Sequence, residues 1–439
     1  MSDSLSTHAA QLMARLKDRT AEVGVVGLGY VGLPLAVEFA RAGFHVTGVD
    51  VNEHKVAQIN AGVSYVQDVP TEVLAPLVQS GKLTATTDFS AIGKMDTVNI
   101  AVPTPLRKTK DPDMSFVVSA SQQVAKHAHP GLLVILESTT YPGTTAELVL
   151  PMIERPELRV GEEFFLCFSP ERVDPGNPNF QTYNIPKVVG GITPTCTKVA
   201  AAFYSQALET VVPVGSTEVA EMVKLLENTF RMINIGLVNE LAMMCDRMGI
   251  NVWEVIEAAA TKPFGFMPFF PGPGLGGHCI PIDPFYLSWK TKQAGIEARF
   301  IDLAGYINGQ MPHFVVDKVQ HALNDHSKPL KGSHVHVMGV AYKRDIDDVR
   351  ESPALDIIHL LGKRGAKVTY SDPYVPALHG DGLQMDSTDA VAAATSADCV
   401  MIVTDHRTVD YGPIVEKAKL IVDTRNALKA FSSDKIVRL

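Results

Sequence analysis

The chain has 439 residues, 46% hydrophobic and 20% charged, with a formal net charge of -9. That length exceeds what one core supports and implies two or three ordinary globular domains, while the acidic balance excludes a general binder of nucleic acid or anionic membrane. No apolar run is long enough to span a bilayer, residues 1–20 lack a signal-peptide core, and five scattered cysteines without Cys-x-x-Cys or Cys-x-x-His spacing fit a reducing cytoplasm and offer no metal site.

An apolar run from Val23 enters Gly27-x-Gly29-x-x-Gly32, then a helical stretch, then a second short strand that ends at Asp50. The glycine pattern alone is weak. Between a strand and a helix, with an acid closing the next strand, it carries the dinucleotide-binding pattern. Gly27 permits the tight turn, Gly29 lets a pyrophosphate approach the backbone, and Gly32 lets helix pack on strand. The helix N-terminus supplies N–H groups to the phosphates. Asp50 is placed to accept ribose hydroxyls, which selects NAD over NADP. The alternative is a glycine-rich turn in an unrelated α/β domain.

Further strands are expected within 96–105, 131–140 and 164–172. Their ends carry Pro, Ser, Thr, Glu or Arg, where a doubly wound sheet places its ligand loops, although turn chemistry alone accounts for each equally well. From about Ser216 to Arg247 the pattern changes. Met222, Leu226, Phe230, Ile233, Leu237 and Leu241 recur at helical spacing, which predicts one long helix that Gly249 ends. Such a helix suits a connector between domains that also forms a dimer surface. Lys224 and Asn228 leave one face of it together, as a functional pair or as a solvated polar pair.

The most unusual stretch is 272–285. Gly272, Gly274, Gly276 and Gly277 precede Cys279, and Pro281 and Pro284 follow it. The glycines allow unusual backbone angles and close approach by a ligand, and the prolines argue against an ordinary helix or central strand. The expectation is a rigid loop presenting Cys279 and Asp283. A thiol held in this way suits nucleophilic catalysis; a Gly/Pro loop that merely contains a cysteine is the alternative.

Residues 325–439 restart the α/β pattern, with a strand at 334–341, a helix at 353–364 and a strand ending at Asp372. This echoes the stretch that ends at Asp50, but without the three glycines, and Gly339 to Asp372 is 33 residues against 23 from Gly27 to Asp50. A second nucleotide-binding-like domain is expected, taking something other than a full dinucleotide. Lys343, Arg344 and Arg350 follow its first strand, either to meet phosphates or as a solvated cluster balanced by Asp345, Asp347 and Asp348. The fold class expected is α/β: two Rossmann-like doubly wound domains joined by a long central helix and a small helical domain, over 1–210, 211–322 and 323–439.

Over residues 20–435 the chain resembles the UDP-sugar (nucleotide-sugar) 6-dehydrogenases. The motifs carrying the resemblance are Gly27 to Gly32, Ser138-Thr139-Thr140, Ser169-Pro170-Glu171, Glu221-x-x-Lys224-x-x-x-Asn228, Gly276-Gly277-His278-Cys279-x-Pro281-x-Asp283, Lys343 with Arg350-Glu351-Ser352, and Asp423-Thr424-Arg425. The resemblance implies a four-electron oxidation of a sugar CH2OH to a carboxylate with two NAD, through a thiohemiacetal and a thioester on Cys279. In that scheme Lys224 and Asn228 stabilise the oxyanion, Asp283 orders or deprotonates the hydrolytic water, Glu171 is the acid/base and Thr139 positions a water. The implied NAD contacts are Gly27, Gly29, Tyr30, Val31, Gly32, Asp50, Lys55, Thr104, Thr139 and Arg350. Those for the UDP-sugar are Glu171, Arg172, Lys224, Asn228, Gly276, Lys343 and Arg425. Two outer α/β domains about a central, dimerising helical one follow by analogy, so a homodimer or larger homo-oligomer is expected in the cytoplasm, with no metal, nucleic acid or membrane partner.

Members acting on UDP-glucose usually carry Lys before the catalytic Asp and Ser before the Cys; this chain has Ile282 and His278. Residues 138–143, 169–177 and 271–274 look like the branch that oxidises UDP-N-acetylhexosamines, UDP-GlcNAc above all, for bacterial surface polysaccharides such as O-antigen. UDP-ManNAc, UDP-GalNAc and UDP-glucose are the alternatives, and an inactive NAD- or UDP-sugar-binding regulator is a reading from another class. His278 adjoins Cys279. Adjacent side chains seldom face each other, so a structural or substrate-contact role is expected for it.

Overall fold

The computed structural model describes residues 5–439 apart from 67, 108–110, 175, 176, 178 and 381; Pro175 and Gly176 of the 169–177 stretch thus lie outside the described residues. The chain divides into two compact units, Met1–Glu227 with Trp289–Gly295, and Asn228–Ser288 with Ile296–Leu439.

The first unit is built on a sheet of strands β1 (Glu22–Val26), β2 (His45–Val49), β3 (Leu83–Thr86), β4 (Thr97–Ile100), β5 (Leu133–Leu136), β6 (Phe165–Phe168), β7 (Lys187–Gly191) and β8 (Val211–Val214). Their order is β3-β2-β1-β4-β5-β6-β7-β8, and β6 with β7 is the antiparallel pair. Helices cover both faces, so β4, β5 and β6 are buried throughout. Leu133 and Ile135 join a core with Phe39 and Phe203, while Val134 and Leu136 join another with Val117 and Phe168. An uninterrupted apolar run is what a strand buried on both sides requires. The strand order reverses between β1 and β4, the crevice where such sheets hold ligands. One element is not anticipated by the sequence: Ser6 caps a helix at Thr7–Lys17, accepting from Ala9 N at 3.2 Å, and Leu12 and Leu16 bury into the first core.

The long helix is Thr217–Met248, and Gly249 ends it at φ +68°. Val238, Ala242 and Cys245 of its later half pack with Met311, Val315 and Val319 of the helix Arg299–Asp325. Most of the periodic apolar residues face elsewhere: Leu226 is 60% and Leu237 52% exposed, with Met222, Phe230 and Leu241 exposed beside them, while Ile233 packs half-buried with Met232, Ile301 and Ala304. The spacing that reveals the helix therefore marks its outward face.

In the second unit β9 (His334–Met338), β10 (Lys367–Ser371), β13 (Cys399–Ile402), β14 (Ile421–Asp423) and β15 (Ile436–Arg438) form a parallel sheet in the order β10-β9-β13-β14-β15, with a separate hairpin of β11 (Ala377–Gly380) and β12 (Leu383–Asp386). The fold class is α/β, with an N-terminal Rossmann-like sheet, a helical centre with the long helix, and a C-terminal parallel α/β domain. One local expectation is corrected. Pro284 does not exclude a helix, because Asp283–Gln293 is one; Pro284 occupies its first turn, where no intrahelical N–H is needed.

Candidate active site

Gly27 ends β1 at φ +90°, and a Cβ there would meet the Ala101 carbonyl oxygen at 2.3 Å. A Cβ on Gly32 would reach the Gly27 oxygen at 1.8 Å, so the helix Gly32–Arg41 starts directly against the turn. Nothing lies within 4 Å of a Cβ on Gly29. The turn is thus tight where it touches protein and open where a pyrophosphate would lie. Asp50 Oδ2 accepts from Leu28 N at 2.8 Å and Oδ1 from Asn52 N at 2.9 Å, which leaves each oxygen capacity for a hydroxyl donor. Lys55 stands 4.0 Å from Asp50, and Tyr65 donates to the Leu28 carbonyl at 2.5 Å. Tyr30 is exposed and Thr104 buried, while Val31 and Thr139 are half-buried. These groups fit a dinucleotide.

Beside Thr139, the Ser138 hydroxyl donates to the Val102 carbonyl at 2.8 Å and accepts from Val102 N at 2.9 Å, tying the end of β5 to the loop after β4. Glu171 follows β6. Its Oε1 accepts from the backbone N–H groups of Arg172 and Val173 at 2.8 and 2.9 Å, and its Oε2 from Lys187 at 3.1 Å. Burial alone would raise its pKa, but the Lys187 ammonium and these donors hold it below the usual value. Lys224 donates to the Glu171 carbonyl at 2.6 Å. Arg172 turns to Glu227 at 2.6 Å and to the Pro186 carbonyl at 2.7 Å. Lys224 and Asn228 are 8% and 5% exposed, which removes the reading of a solvated pair.

In the second unit Asn228 Nδ2 donates to Asp283 Oδ2 at 2.6 Å, and both residues are buried. The Cys279 carbonyl accepts from Ile282 N at 3.0 Å and Asp283 N at 2.8 Å. The half-buried thiol residue therefore sits in the turn that opens the Asp283 helix, tied to it through the backbone, with Asn228 fixing the carboxylate. The glycines before it take the unusual backbone angles expected, Gly274 at φ +145° and Gly277 at φ +90°, and they also sit close against neighbouring chain. A Cβ on Gly272 would meet Arg425 at 2.5 Å, on Gly276 the Glu351 carbonyl oxygen at 2.8 Å, and on Gly277 the Tyr342 ring at 2.7 Å. Gly277 N also donates to the Arg350 carbonyl at 3.2 Å. Gly276 and Gly277 thus let the loop lie on the segment carrying Tyr342, Lys343 and Arg350, and Gly272 lets it lie against Arg425.

The charged cluster after β9 is largely paired: Arg350 with Asp348 at 2.6 Å within it, and Arg344 with Asp405 and Asp345 with Arg407 from the segment after β13. Arg425 donates to the Val403 carbonyl at 2.8 Å, and burial lowers its pKa. Sequence reasoning missed Glu137 and Lys187, which pair at 2.7 Å at the strand ends beside Glu171. Each looks like an ordinary strand-end residue in sequence, so no local signal marks them. Among the described residues no helix is long and apolar enough to cross a membrane.

Three stretches match models of one family: the NAD binding domain of the UDP-glucose/GDP-mannose dehydrogenase family over residues 21–208, its central domain over 218–310 and its UDP binding domain over 336–430. With the Rossmann frame these define the class, an NAD-dependent UDP-sugar dehydrogenase. The chain belongs to the UDP-glucose/GDP-mannose dehydrogenase family. It is 37% identical to the UDP-N-acetyl-D-glucosamine 6-dehydrogenase of Pseudomonas aeruginosa over 81% of this chain and 83% of that one. Identity to the NDP-N-acetyl-D-galactosaminuronic acid dehydrogenase of Ralstonia nicotianae is 35%, over 93% and 96%. The solved structure of a UDP-D-ManNAc dehydrogenase from Pyrococcus horikoshii superposes with a TM-score of 0.86 at 33% identity, covering 95% of this chain and 98% of that one.

Proposed function

We propose that this enzyme oxidises the C6 hydroxymethyl of a UDP-N-acetylhexosamine, UDP-GlcNAc best, to the carboxylate, with Cys279 as the covalent nucleophile. The observation that carries the reading is the buried Asn228–Asp283 pair at 2.6 Å beside the turn that bears Cys279. Binding alone needs neither a thiol nor a carboxylate so held. NAD+, when bound at the Gly27–Gly32 turn, supplies the hydride acceptor for each of two oxidations.

Glu171 takes the C6 hydroxyl proton as the alcohol becomes an aldehyde. The Cys279 thiolate then adds to the carbonyl carbon, and Lys224 and Asn228 stabilise the oxygen of the thiohemiacetal. Loss of a second hydride, with its hydroxyl proton, leaves a thioester on Cys279. Asp283 orders and deprotonates water, which releases the uronate and restores the thiol. Thr139 positions a water. Gly27, Gly29, Tyr30, Val31, Gly32, Asp50, Lys55, Thr104 and Arg350 are assigned to NAD, and Arg172, Gly276, Lys343 and Arg425 to the UDP-sugar. The relatives' N-acetylated substrates, together with Ile282 and His278 in place of Lys and Ser, support an N-acetylhexosamine over glucose. The exposed apolar face of the long helix supports a homodimer or higher homo-oligomer, formed in the cytoplasm by chains of three domains, 1–210, 211–322 and 323–439.

Cys279→Ser should bind NAD+ and UDP-GlcNAc yet lose turnover by roughly three orders of magnitude, about 4 kcal/mol of barrier; loss within tenfold sinks the covalent route. A kcat/KM ratio for UDP-GlcNAc over UDP-glucose at or below one sinks the substrate, because a pocket that hydrogen-bonds the amide leaves those groups unpaired with glucose.

A further inference from the structure

Beneath Glu171 lies a buried ionic network that the chemistry above does not use. Lys187 on β7, 4% exposed, bridges two carboxylates: Glu137 just past β5 at 2.7 Å, and Glu171 just past β6 at 3.1 Å. Glu137 is 1% exposed, and Tyr204 donates to its Oε1. Asn99 Nδ2 on β4 reaches the same oxygen at 2.8 Å and the Tyr204 oxygen at 3.0 Å. Two carboxylates thus share one buried ammonium, where removing one partner of a buried ion pair is costly.

The shorter contact is to Glu137, so that residue draws off part of the attraction Lys187 exerts on Glu171. The other charged or titratable groups near Glu171 are committed elsewhere. Lys224 meets its carbonyl, Arg172 pairs with Glu227, Tyr204 lies beyond Glu137, and burial keeps the Cys167 thiol on β6 protonated. Burial would raise both carboxyls. With Lys187 between them, Glu137 stays above its usual value and Glu171 falls below.

We propose that Lys187 and Glu137 are positioning residues for Glu171: Lys187 fixes its carboxylate, and Glu137, by sharing the ammonium, leaves Glu171 basic enough to take up a proton. The proposal rests on the reading of Glu171 as acid/base. The two partners then act in opposite senses, which a purely structural role would not produce. Glu137→Gln preserves shape and hands Lys187 wholly to Glu171, making Glu171 more acidic; Lys187→Met leaves two carboxylates facing each other and makes it less so.

The test titrates 13C-carboxyl-labelled glutamate in the full-length enzyme, with Glu171→Gln identifying the Glu171 signal, and follows the pH profile of kcat/KM alongside. The Glu171 midpoint should move down in Glu137→Gln and up in Lys187→Met, by about one pH unit or more each, with the acidic limb of the rate following. Midpoints that stay put, or move together, overturn the proposal. Opposite midpoint shifts with an unmoved rate profile overturn it by another route, since Glu171 is then tuned as argued but is not the acid/base. Should Lys187→Met fail to fold, Glu137→Gln decides alone: a downward shift supports the proposal and an unmoved midpoint overturns it.

Discussion

The two large sheets open with nearly the same turn and put it to different use. Strand β1 ends at Gly27 (φ +90°), whose Cβ would meet the Ala101 oxygen at 2.3 Å; β9 ends at Gly339 (φ +80°), whose Cβ would meet the Thr404 oxygen at 2.2 Å. Each second strand is followed by an acid that accepts N–H groups from its turn. Asp50 takes one donor on each oxygen. Asp372 takes five: Val340 N, Ala341 N and His406 Nε2 on Oδ2, Tyr374 N and Val375 N on Oδ1. A carboxylate offers about four lone-pair sites, so Asp50 has room for ribose hydroxyls and Asp372 is full. The positions matching Gly29 and Gly32 are Ala341 and Arg344, and the following helix waits until Pro353. One frame becomes a cofactor site only where its turn stays open and its acid unsaturated.

The strongest way to break that contrast is at the saturated acid. Asp372→Asn replaces a buried carboxylate that accepts from His406 Nε2 and four backbone N–H groups with an amide that cannot accept on both sides, and should cost about 3 kcal/mol, read by denaturant melts, without changing NAD+ affinity. Burial would raise the Asp372 pKa, but His406 and the backbone donors hold it below the usual 3.8. A depressed carboxyl contributes stability above its unfolded pKa and loses it as pH falls below about 4. The wild type should therefore weaken in that acid window, and the variant should lack that component. Gly32→Ala comes next. With a Cβ 1.8 Å from a backbone oxygen, the helix must shift, and NAD+ binding should fall about a hundredfold, about 2.7 kcal/mol, by calorimetry. Gly339→Ala should cost about 2 kcal/mol of stability through strain at positive φ while the NAD+ Kd stays put; a changed Kd breaks the comparison. The smallest effect is Asp50→Ala, which should weaken NAD+ about tenfold, about 1.4 kcal/mol, and narrow its lead over NADP+. A wild type using both cofactors equally would mean that Asp50 does not serve the ribose.

How far the sequence reveals these features follows from how local they are. The Gly27–Asp50 unit is short and contiguous, and its spacing carries its geometry. The long helix shows in its period, yet the apolar residues that reveal it lie outside, because its buried side is carried by Val238, Ala242 and Cys245. The glycines before Cys279 show their backbone freedom in sequence, but nothing in sequence says that Arg425, Glu351 and Tyr342 come to lie on them. Pro284 reads as a breaker until its place in a first turn is known. Glu137, Lys187 and Tyr204 each look like ordinary strand or helix residues. They meet only because β5, β6 and β7 are neighbours in the sheet, a fact of long-range pairing that no local pattern encodes.

A four-electron oxidation through Cys279 is tested most directly by counting NADH formed per UDP-GlcNAc consumed, with the sugar limiting and NAD+ in excess. Two NADH per sugar, with no aldehyde released, is the expected result; one NADH and free aldehyde would contradict it.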